Sequence, residues 1–578
     1  MTYTAPTSDL LLALEVCAGL GDLAEQPRFA AATPDTVAAV VEGIGAFAAG
    51  EWAPLAQAGD RVGARVQDGV VTLPDGYAEA YRTFVEQGWN SIAGPEDHGG
   101  QGLPWSLSVA VLETLGAANL GFTLLPVLTA GAIDALEQHA SPAQKALYLP
   151  RLISGEWSGT MNLTEPQAGS DVGALRTTAT PIGEGPHAGK YRIRGTKIYI
   201  SWGEHDLAAN IVHLVLARLP GAPEGSRGIS LFIVPKYLPD AQGEPGVRND
   251  LKAVSIEHKL GLHASPTCVM SFGDEDACIG ELVGAPNEGL RAMFTMMNAA
   301  RINVGGQGVQ VAEAAWQRAR WFARERVQSP RAGSAVKTPV AIVEHPDVRR
   351  MLLRMRALTE GARALLYYTA GQVDRGGLGD EAAKQRADVL VPLIKAWGTE
   401  AGIEVASLGI QVHGGTGYVE DTGAAQHYRD ARILPIYEGT NGIQAADLVT
   451  RKLGLGGGEV LLGLLDDVRR DSADAPALAS LATDCAAAAL WLRDEASLDD
   501  RLAGSVSFLT MCAVAVAGWQ LLRQARAVAG TDHVLAASKP VVARFFLDHL
   551  VPAAAGLAPS VRAGAATLYQ LGALDLTA

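Results

Sequence analysis

The sequence predicts an α+β fold in four parts: an N-terminal helical domain (1–156), a central β domain (157–285), a C-terminal four-helix bundle (286–453) and an appended helical domain (459–578). Three observations carry this. Apolar residues recur at helical spacing before about residue 157 and again after Gly289. Short apolar runs, some divided by Gly and Pro, fill the span between. The stretch Gly454-Leu455-Gly456-Gly457-Gly458 then separates the bundle from a tail rich in Ala and Leu. Strands and helices do not alternate, so the pattern is not a doubly wound nucleotide fold.

In chain order, Thr33-Pro34 supplies an N-cap with proline at the first helical position, and Val37, Val40, Val41, Ile44 and Phe47 follow on one helical face. Ser141-Pro142-Ala143-Gln144 is a capping-box pattern opening a helix toward Leu149. The periodicity changes at about Trp157. Tyr191 to Arg194 alternates, and Ile198–Ile200, Ile211–Leu216, Ile229–Val234 and Thr267–Phe272 read as strands. Past Gly289, Met293, Met297 and Arg301 share one helix, and Val348, Met351, Leu352, Met355 and Leu358 another. The glycines at 454–458 read as a flexible linker.

Composition narrows the function. The 578 residues carry 47 Lys and Arg against 62 Asp and Glu, a net charge of −15, and 48% are hydrophobic. That is ample for a buried core and excludes a disordered chain. The acidic balance speaks against nucleic-acid binding along a phosphate backbone. The five cysteines are odd in number and widely spaced, with no Cys-x-x-Cys pair, so neither a disulfide framework nor a zinc site is expected. Met1 to Ala13 has no basic residue and does not read as a secretory signal. Phe508 to Leu522, broken by Thr510, Gly518 and Gln520, is shorter than the roughly 20 residues of a membrane span. The expectation is a soluble cytoplasmic protein with no membrane span.

No Gly-x-Gly-x-x-Gly lies between a strand and a helix, and there is no P-loop, so a nucleotide cofactor needs another binding mode. The most informative segment is Met161-Asn162-Leu163-Thr164-Glu165-Pro166-Gln167-Ala168-Gly169-Ser170-Asp171. Its small residues let backbone N–H groups approach an anion or a planar ring, and Thr164 and Ser170 add hydroxyls. An ordinary turn is the plainer reading of such a cluster. Glu438 follows the apolar Leu434-Pro435-Ile436-Tyr437 and precedes Gly439-Thr440-Asn441-Gly442. A lone Glu is usually solvated, but one held among apolar groups has a raised pKa that suits proton abstraction.

The first of these segments resembles the Thr-Glu-Pro-x-Ala-Gly-Ser-Asp signature of flavin-dependent acyl-CoA dehydrogenases. Others resemble the same family in its order: Lys197-Ile198-Tyr199-Ile200-Ser201, Lys259-Leu260-Gly261 with Ser265-Pro266-Thr267, Gln411 to Tyr418, Arg429-Asp430-Ala431-Arg432-Ile433, and Ile436-Tyr437-Glu438-Gly439-Thr440-Asn441. The resemblance spans about residues 35–452. It implies FAD as cofactor, an acyl-CoA substrate, and conversion to a trans-2-enoyl-CoA. Glu438 would remove the α-proton while flavin N5 takes the β-hydride. The backbone N–H of Glu438 and a ribityl hydroxyl would stabilise the enolate oxygen, and one such donor is worth about 3–4 kcal/mol.

The resemblance assigns further roles. Leu163, Thr164 and Ser170 would approach the flavin and its pyrophosphate, with Ser170 also near substrate. Tyr199 and Ser201 would cover the flavin face; Tyr199 stands where the family more often has Trp. Arg326 and Gln328 would reach a neighbouring subunit's FAD, although Ser329-Pro330 follows where Phe-Gly is usual. Gln411, Gly414 and Gly415 would approach the adenosine pyrophosphate across a subunit boundary, and Thr440 would touch cofactor. Arg301 would pair with the CoA moiety, and Tyr437 and Gly439 would border the acyl group. His205 and His413 read as loop polar groups that titrate near neutral pH.

Gly99 to Pro104, Gly159 to Asn162, Gly203 to Asp206 and the tail beyond residue 458 resemble one branch, the broad-specificity linear acyl-CoA and 3-(methylthio)propionyl-CoA dehydrogenases. That branch implies a homodimer, and the family implies an electron-transferring flavoprotein as acceptor. An acyl-CoA oxidase using O2 and a non-catalytic flavoprotein of the same fold are the alternatives.

Overall fold

The computed structural model describes residues 3–577, and the elements fall in the expected order: helices to Ser154, strands from Trp157 to Val283, and helices from Gly289 onward. They fold into two compact units. One draws on Met1–Ala46, Pro104–Ala117 and Arg301–Ala578, the other on Phe47–Leu103 and Ala118–Ala300.

The second unit is built on an eight-stranded sheet. Its path runs Leu251–Ile256, Thr267–Phe272, Tyr191–Ser201, Ile279–Val283, Ile229–Pro235, Asn210–Arg218 and Trp157–Asn162, and Thr178–Pro181 pairs off that path. Trp157–Asn162 runs parallel to Asn210–Arg218, whereas most neighbours are antiparallel. Asn210–Arg218 is buried from Asn210 to Ala217 and Ile229–Pro235 throughout, which explains why they read as unbroken apolar runs rather than alternating ones. Ile193, Ile200, Val215, Phe232 and Phe272 meet in the core of this sheet. The capping box is formed: Ser141 Oγ accepts from the Gln144 N–H at 3.3 Å, and Gln144 Oε1 accepts from the Ser141 N–H at 3.0 Å. A small hairpin, Arg65–Gln67 with Val70–Thr72, falls in the region read as wholly helical. Its strands are three residues each, too short for alternation to register.

The first unit is helical. Its bundle comprises the helix Gly289–Glu325 from Arg301 onward, Pro346–Gly377, Glu381–His413 and the short Asn441–Thr450. Glycines bring two of these backbone to backbone: a Cβ on Gly308 would lie 2.1 Å from the Gly398 carbonyl oxygen. That close approach fixes Glu381–His413 against the helix carrying Arg301. The Gly454–Gly458 stretch is not a flexible linker. Lys452–Gly458 forms a tight turn in which Gly456, Gly457 and Gly458 all take positive φ, a conformation glycine adopts without steric cost.

Four long helices follow in the appended segment, Glu459–Asp471, Pro476–Asp494, Leu498–Val528 and Lys539–Ala555, and then the short Ala558–Val561 and Ala573–Thr577. The apolar stretch judged too short to span a membrane lies within the 31-residue helix Leu498–Val528. That helix, Leu120–His139 and the segment Lys539–Val561 are each long and apolar enough to cross a membrane by length and composition. In Leu498–Val528, 72% of the apolar window is buried within the protein. All five cysteines are buried free thiols.

Candidate active site

Glu438 sits in the loop between the helices Ala424–Ala431 and Asn441–Thr450. Glu438 (φ +56°) and Gly439 (φ +81°) are consecutive left-handed residues. For a residue with a Cβ this conformation costs roughly 1–2 kcal/mol, so the surroundings must impose it. They do so through the carbonyls. Arg301 Nε and Gln444 Nε2 each donate to the Glu438 carbonyl oxygen at 3.3 Å, and Gln444 Nε2 reaches the Gly439 oxygen at 3.3 Å. The Asn441 N–H closes the loop on the Pro435 carbonyl at 3.0 Å. Thr440 Oγ1 caps the following helix by accepting from the Ile443 N–H at 3.2 Å. The φ of Gly439 favours glycine there, and a Cβ would come within 2.8 Å of Gln444 Nε2 and push that side chain off the loop.

Burial pushes the Glu438 carboxyl up to about 7, against the opposing pull of Arg301 and Lys395. The Tyr437 hydroxyl donates to the Gln307 side-chain oxygen, and burial raises it well beyond an ordinary phenol. Burial brings the ammonium of Lys395 down to about 8, with Glu438 acting in the opposite direction. A carboxyl poised near neutrality is chemically a proton acceptor.

Arg301, expected to pair with the CoA moiety, points its Nε at the Glu438 carbonyl. Gln411, Gly414 and Gly415 are exposed at the end of Glu381–His413, and Gly414 and Gly415 face open space. Arg326 and Gln328 are exposed just past Glu325, where the Gln328 N–H donates to Val340 O at 3.0 Å and the Ile342 N–H to Arg326 O at 2.8 Å. Phe322 and His413 stack with centroids 4.4 Å apart, which brings these two groups to neighbouring helix ends. His413 is therefore a buried packing residue, not a loop polar group.

In the other unit, the segment Leu163–Ser170 hangs on a side chain absent from the expected site, Glu165. Its carboxylate accepts from Lys197 Nζ at 2.9 Å, Thr177 Oγ1 at 2.6 Å and the backbone N–H groups of Arg176 and Thr177 at 2.7 and 3.0 Å. Burial opposes its ionisation, yet these partners hold it down to about 2. Lys197 also donates to Leu163 O at 3.0 Å, and the Ile198 N–H to Thr164 O at 2.9 Å. Leu163 and Thr164 are half-buried and Ser170 is exposed.

The same lysine explains Tyr199. Along Tyr191–Ser201 the inward positions are Ile193 and Lys197, and strict alternation would turn Tyr199 inward as well. Two residues, Ile198 and Tyr199, face one residue of Thr267–Phe272, a β-bulge that shifts the phase. Tyr199 takes φ +60° and stands 61% exposed, with Ser201 two residues on and half-buried. His205 does lie in a loop, between Tyr191–Ser201 and Asn210–Arg218, but not as a group that titrates near neutral pH. It is fully buried, with Nε2 hydrogen-bonded to Ser158 Oγ at 2.9 Å, and burial with Lys236 nearby takes it down to about 3.

Lys395, Asn441, Gln444 and Gln307 around the base, and Glu165, Lys197 and Thr177 in the strand unit, were not among the expected site residues. One signal for Lys395 exists: it is the single charge in the apolar run Val389 to Trp397.

Comparison with known proteins bears on the whole chain. Family models for the N-terminal, middle and C-terminal domains of acyl-CoA dehydrogenases match residues 34–156, 160–274 and 287–453, and one described as acetyl-CoA dehydrogenase C-terminal like matches 468–572. The chain is 48% identical over 543 residues, 90% of each protein, to the 3-methylmercaptopropionyl-CoA dehydrogenase of Ruegeria pomeroyi. It is 34% identical over 520 residues, covering 83% of this chain and 84% of the relative, to the broad-specificity linear acyl-CoA dehydrogenase FadE5 of Mycobacterium tuberculosis. A solved acyl-CoA dehydrogenase from Bacillus anthracis, complexed with FAD, shares the fold at a TM-score of 0.75 with 21% identity, covering 94% of this chain and 90% of that one.

Proposed function

The chain belongs to the acyl-CoA dehydrogenase family, and from that premise we propose that it uses FAD to convert an acyl-CoA thioester to its trans-2-enoyl-CoA, with Glu438 as the base. The observation that carries this is the near-neutral carboxyl of Glu438, held in a left-handed loop by Arg301 and Gln444. At neutral pH a substantial fraction is ionised, and its basicity is matched to a proton made acidic by the thioester. The Glu438 N–H lies in the same fixed loop and is the donor for the developing enolate oxygen.

The residues present fit an FAD. Tyr199 offers an exposed ring turned out of the sheet, beside the hydroxyl of Ser201. Gly169, Gly414 and Gly415 face open space where a backbone can approach a phosphate or ring. Leu163, Thr164 and Ser170 would hold the flavin side; Arg326, Gln328 and Gln411 would reach a neighbouring subunit's FAD, and Thr440 would touch cofactor. When bound, the flavin accepts the hydride equivalent from the substrate β-carbon. Arg301 keeps the base in place from its backbone side, with CoA contact a second role, and Tyr437 and Gly439 border the acyl chain.

Identity with the Ruegeria protein favours 3-(methylthio)propionyl-CoA or a short linear acyl-CoA as substrate. We read the acceptor as an electron-transferring flavoprotein and the enzyme as a cytoplasmic homodimer without a membrane span. Anaerobic bleaching of the flavin by acyl-CoAs of graded length, with the methylthio compound included, tests the substrate. Bleaching by none of them rejects the activity. Reoxidation by air as fast as by the flavoprotein reassigns the enzyme as an oxidase, and a solution mass other than a dimer's removes the homodimer.

A further inference from the structure

Lys395 lies on the helix Glu381–His413 and is 0% exposed. Among the described residues no carboxylate forms an ion pair with it; its Nζ donates to Asn441 Oδ1 at 3.0 Å. A buried ammonium without a paired anion is unfavourable, so its position calls for a use.

Asn441 is where that use becomes visible. It opens the helix after the base, and its backbone N–H closes the Glu438 loop on Pro435. Its amide nitrogen donates to Ala396 O at 3.2 Å, Thr399 Oγ1 at 3.1 Å and Glu400 Oε1 at 2.8 Å. On the accepting side of the amide, Lys395 Nζ at 3.0 Å is the nearer donor and Thr399 Oγ1 at 3.4 Å the other. Lys395 thereby helps set which way Asn441 faces and ties the loop to a helix already packed through Gly398.

We propose that Lys395 is a positioning residue for proton abstraction, acting through Asn441 to hold the Glu438 loop and presenting its ammonium to the base so that the carboxylate persists at neutral pH. This rests on the reading of Glu438 as the base. The other charged or titratable groups in the same field are Arg301 on the helix Gly289–Glu325, Glu400 on the helix of Lys395, Asp447 and Arg451 at the helix Asn441–Thr450, and Tyr437 in the loop itself. Of these, Arg301 is the other cation that lowers Glu438. Each group opposes the effect of burial on the other: Lys395 draws the Glu438 carboxyl down and Glu438 holds the ammonium up.

The test is the pH profile of flavin bleaching by acyl-CoA in the FAD-loaded enzyme, followed by stopped flow. Lys395→Met should bind FAD normally but move the midpoint up by about one pH unit, which is about fivefold in rate at pH 7 and about tenfold well below the midpoint, with recovery at alkaline pH. Lys395→Arg should keep the midpoint near that of the wild type. If Lys395→Met does not fold, Asn441→Asp, which places an anion against the ammonium, should shift the midpoint in the same direction. A wild-type midpoint in Lys395→Met, or failing that in Asn441→Asp, overturns the proposal, as does an equal shift in Lys395→Arg. Glu438→Gln run alongside separates the two claims. If it bleaches like wild type, the base assignment fails; if it is inert while Lys395→Met keeps the wild-type profile, the role of Lys395 alone is lost.

Discussion

Two clusters of buried charge in the helical unit behave in opposite ways. Around Arg363 and Lys539 each cation has two carboxylates. Arg363 donates to Glu113 at 2.7 Å and Glu313 at 2.8 Å, and Lys539 to Asp9 at 2.6 Å and Glu360 at 2.7 Å. Burial opposes charge on Arg363, Lys539 and Asp9, but the partners win: the two cations are driven up and Asp9 down. Only Glu113 drifts upward, through burial and despite Arg363. Around Glu438 the charges face one another without matched pairing, burial wins, and the carboxyl rises toward neutrality. The first arrangement locks its protons and holds the appended helix Lys539–Ala555 to the helix Pro346–Gly377 and the N-terminal segment. In the second, burial outweighs the pull of Arg301 and Lys395 and leaves a carboxyl that titrates near neutrality.

The contrast breaks most visibly if Glu438 is replaced. Glu438→Gln should retain FAD and acyl-CoA binding, yet flavin bleaching should fall by about 10²–10⁴-fold, the usual worth of a positioned base. Arg363→Met is the counterpart. It leaves Glu113 and Glu313 buried without their cation, and denaturant unfolding should register a loss of about 3–5 kcal/mol. Folded Arg363→Met should nevertheless bleach with the wild-type pH midpoint, because that network does not feed the base.

The pH dependence sharpens the same point. kcat/KM should rise with pH through a midpoint near about 7, since only the carboxylate can accept the proton. Because the folded-state value lies above the ordinary 4.5, the native protein holds this proton more tightly than the unfolded chain does. The contribution of Glu438 to stability therefore declines as pH rises from about 4.5 to about 7. Asp9, with its lowered value, has the opposite sign and loses its contribution on acidification.

Much of this was legible in the residues, and what was not has a common cause. Helical spacing at Met351, Met355 and Leu358, and the capping box at Ser141, report contacts within a few residues of each other, and both formed. Ordered motifs of the family located the Leu163–Ser170 and Tyr437–Thr440 segments. Lys395 and Asn441 escaped because their pairing arises only when helices 46 residues apart in sequence pack together; Gln444 escaped because its bonds go to backbone carbonyls five and six residues away, which no side-chain pattern announces. His205 was misread because Gly-Glu-His-Asp looks like a solvated turn. Ser158, on a strand far back in the chain, is what buries it. Tyr199 shows the limit of alternation: a bulge reverses the face and no local pattern announces it.

The smallest effect concerns two helix caps of the same chemistry. Ser141 and Thr440 each accept a backbone N–H through a side-chain hydroxyl, at 3.3 and 3.2 Å. Removing either hydroxyl should cost about 1 kcal/mol, read as a shift in the denaturant midpoint. Their functional consequences should differ. Ser141→Ala touches a helix start remote in sequence from any proposed site residue, so bleaching by acyl-CoA should be unchanged. Thr440 begins the helix whose Gln444 holds the Glu438 and Gly439 carbonyls in their left-handed turn. Fraying that first turn loosens the restraint on the base, so Thr440→Ala should slow bleaching several-fold at equal FAD occupancy. Equal bleaching rates in the two variants would mean that the loop keeps its geometry without the cap, and that Arg301 and the Asn441 closure suffice.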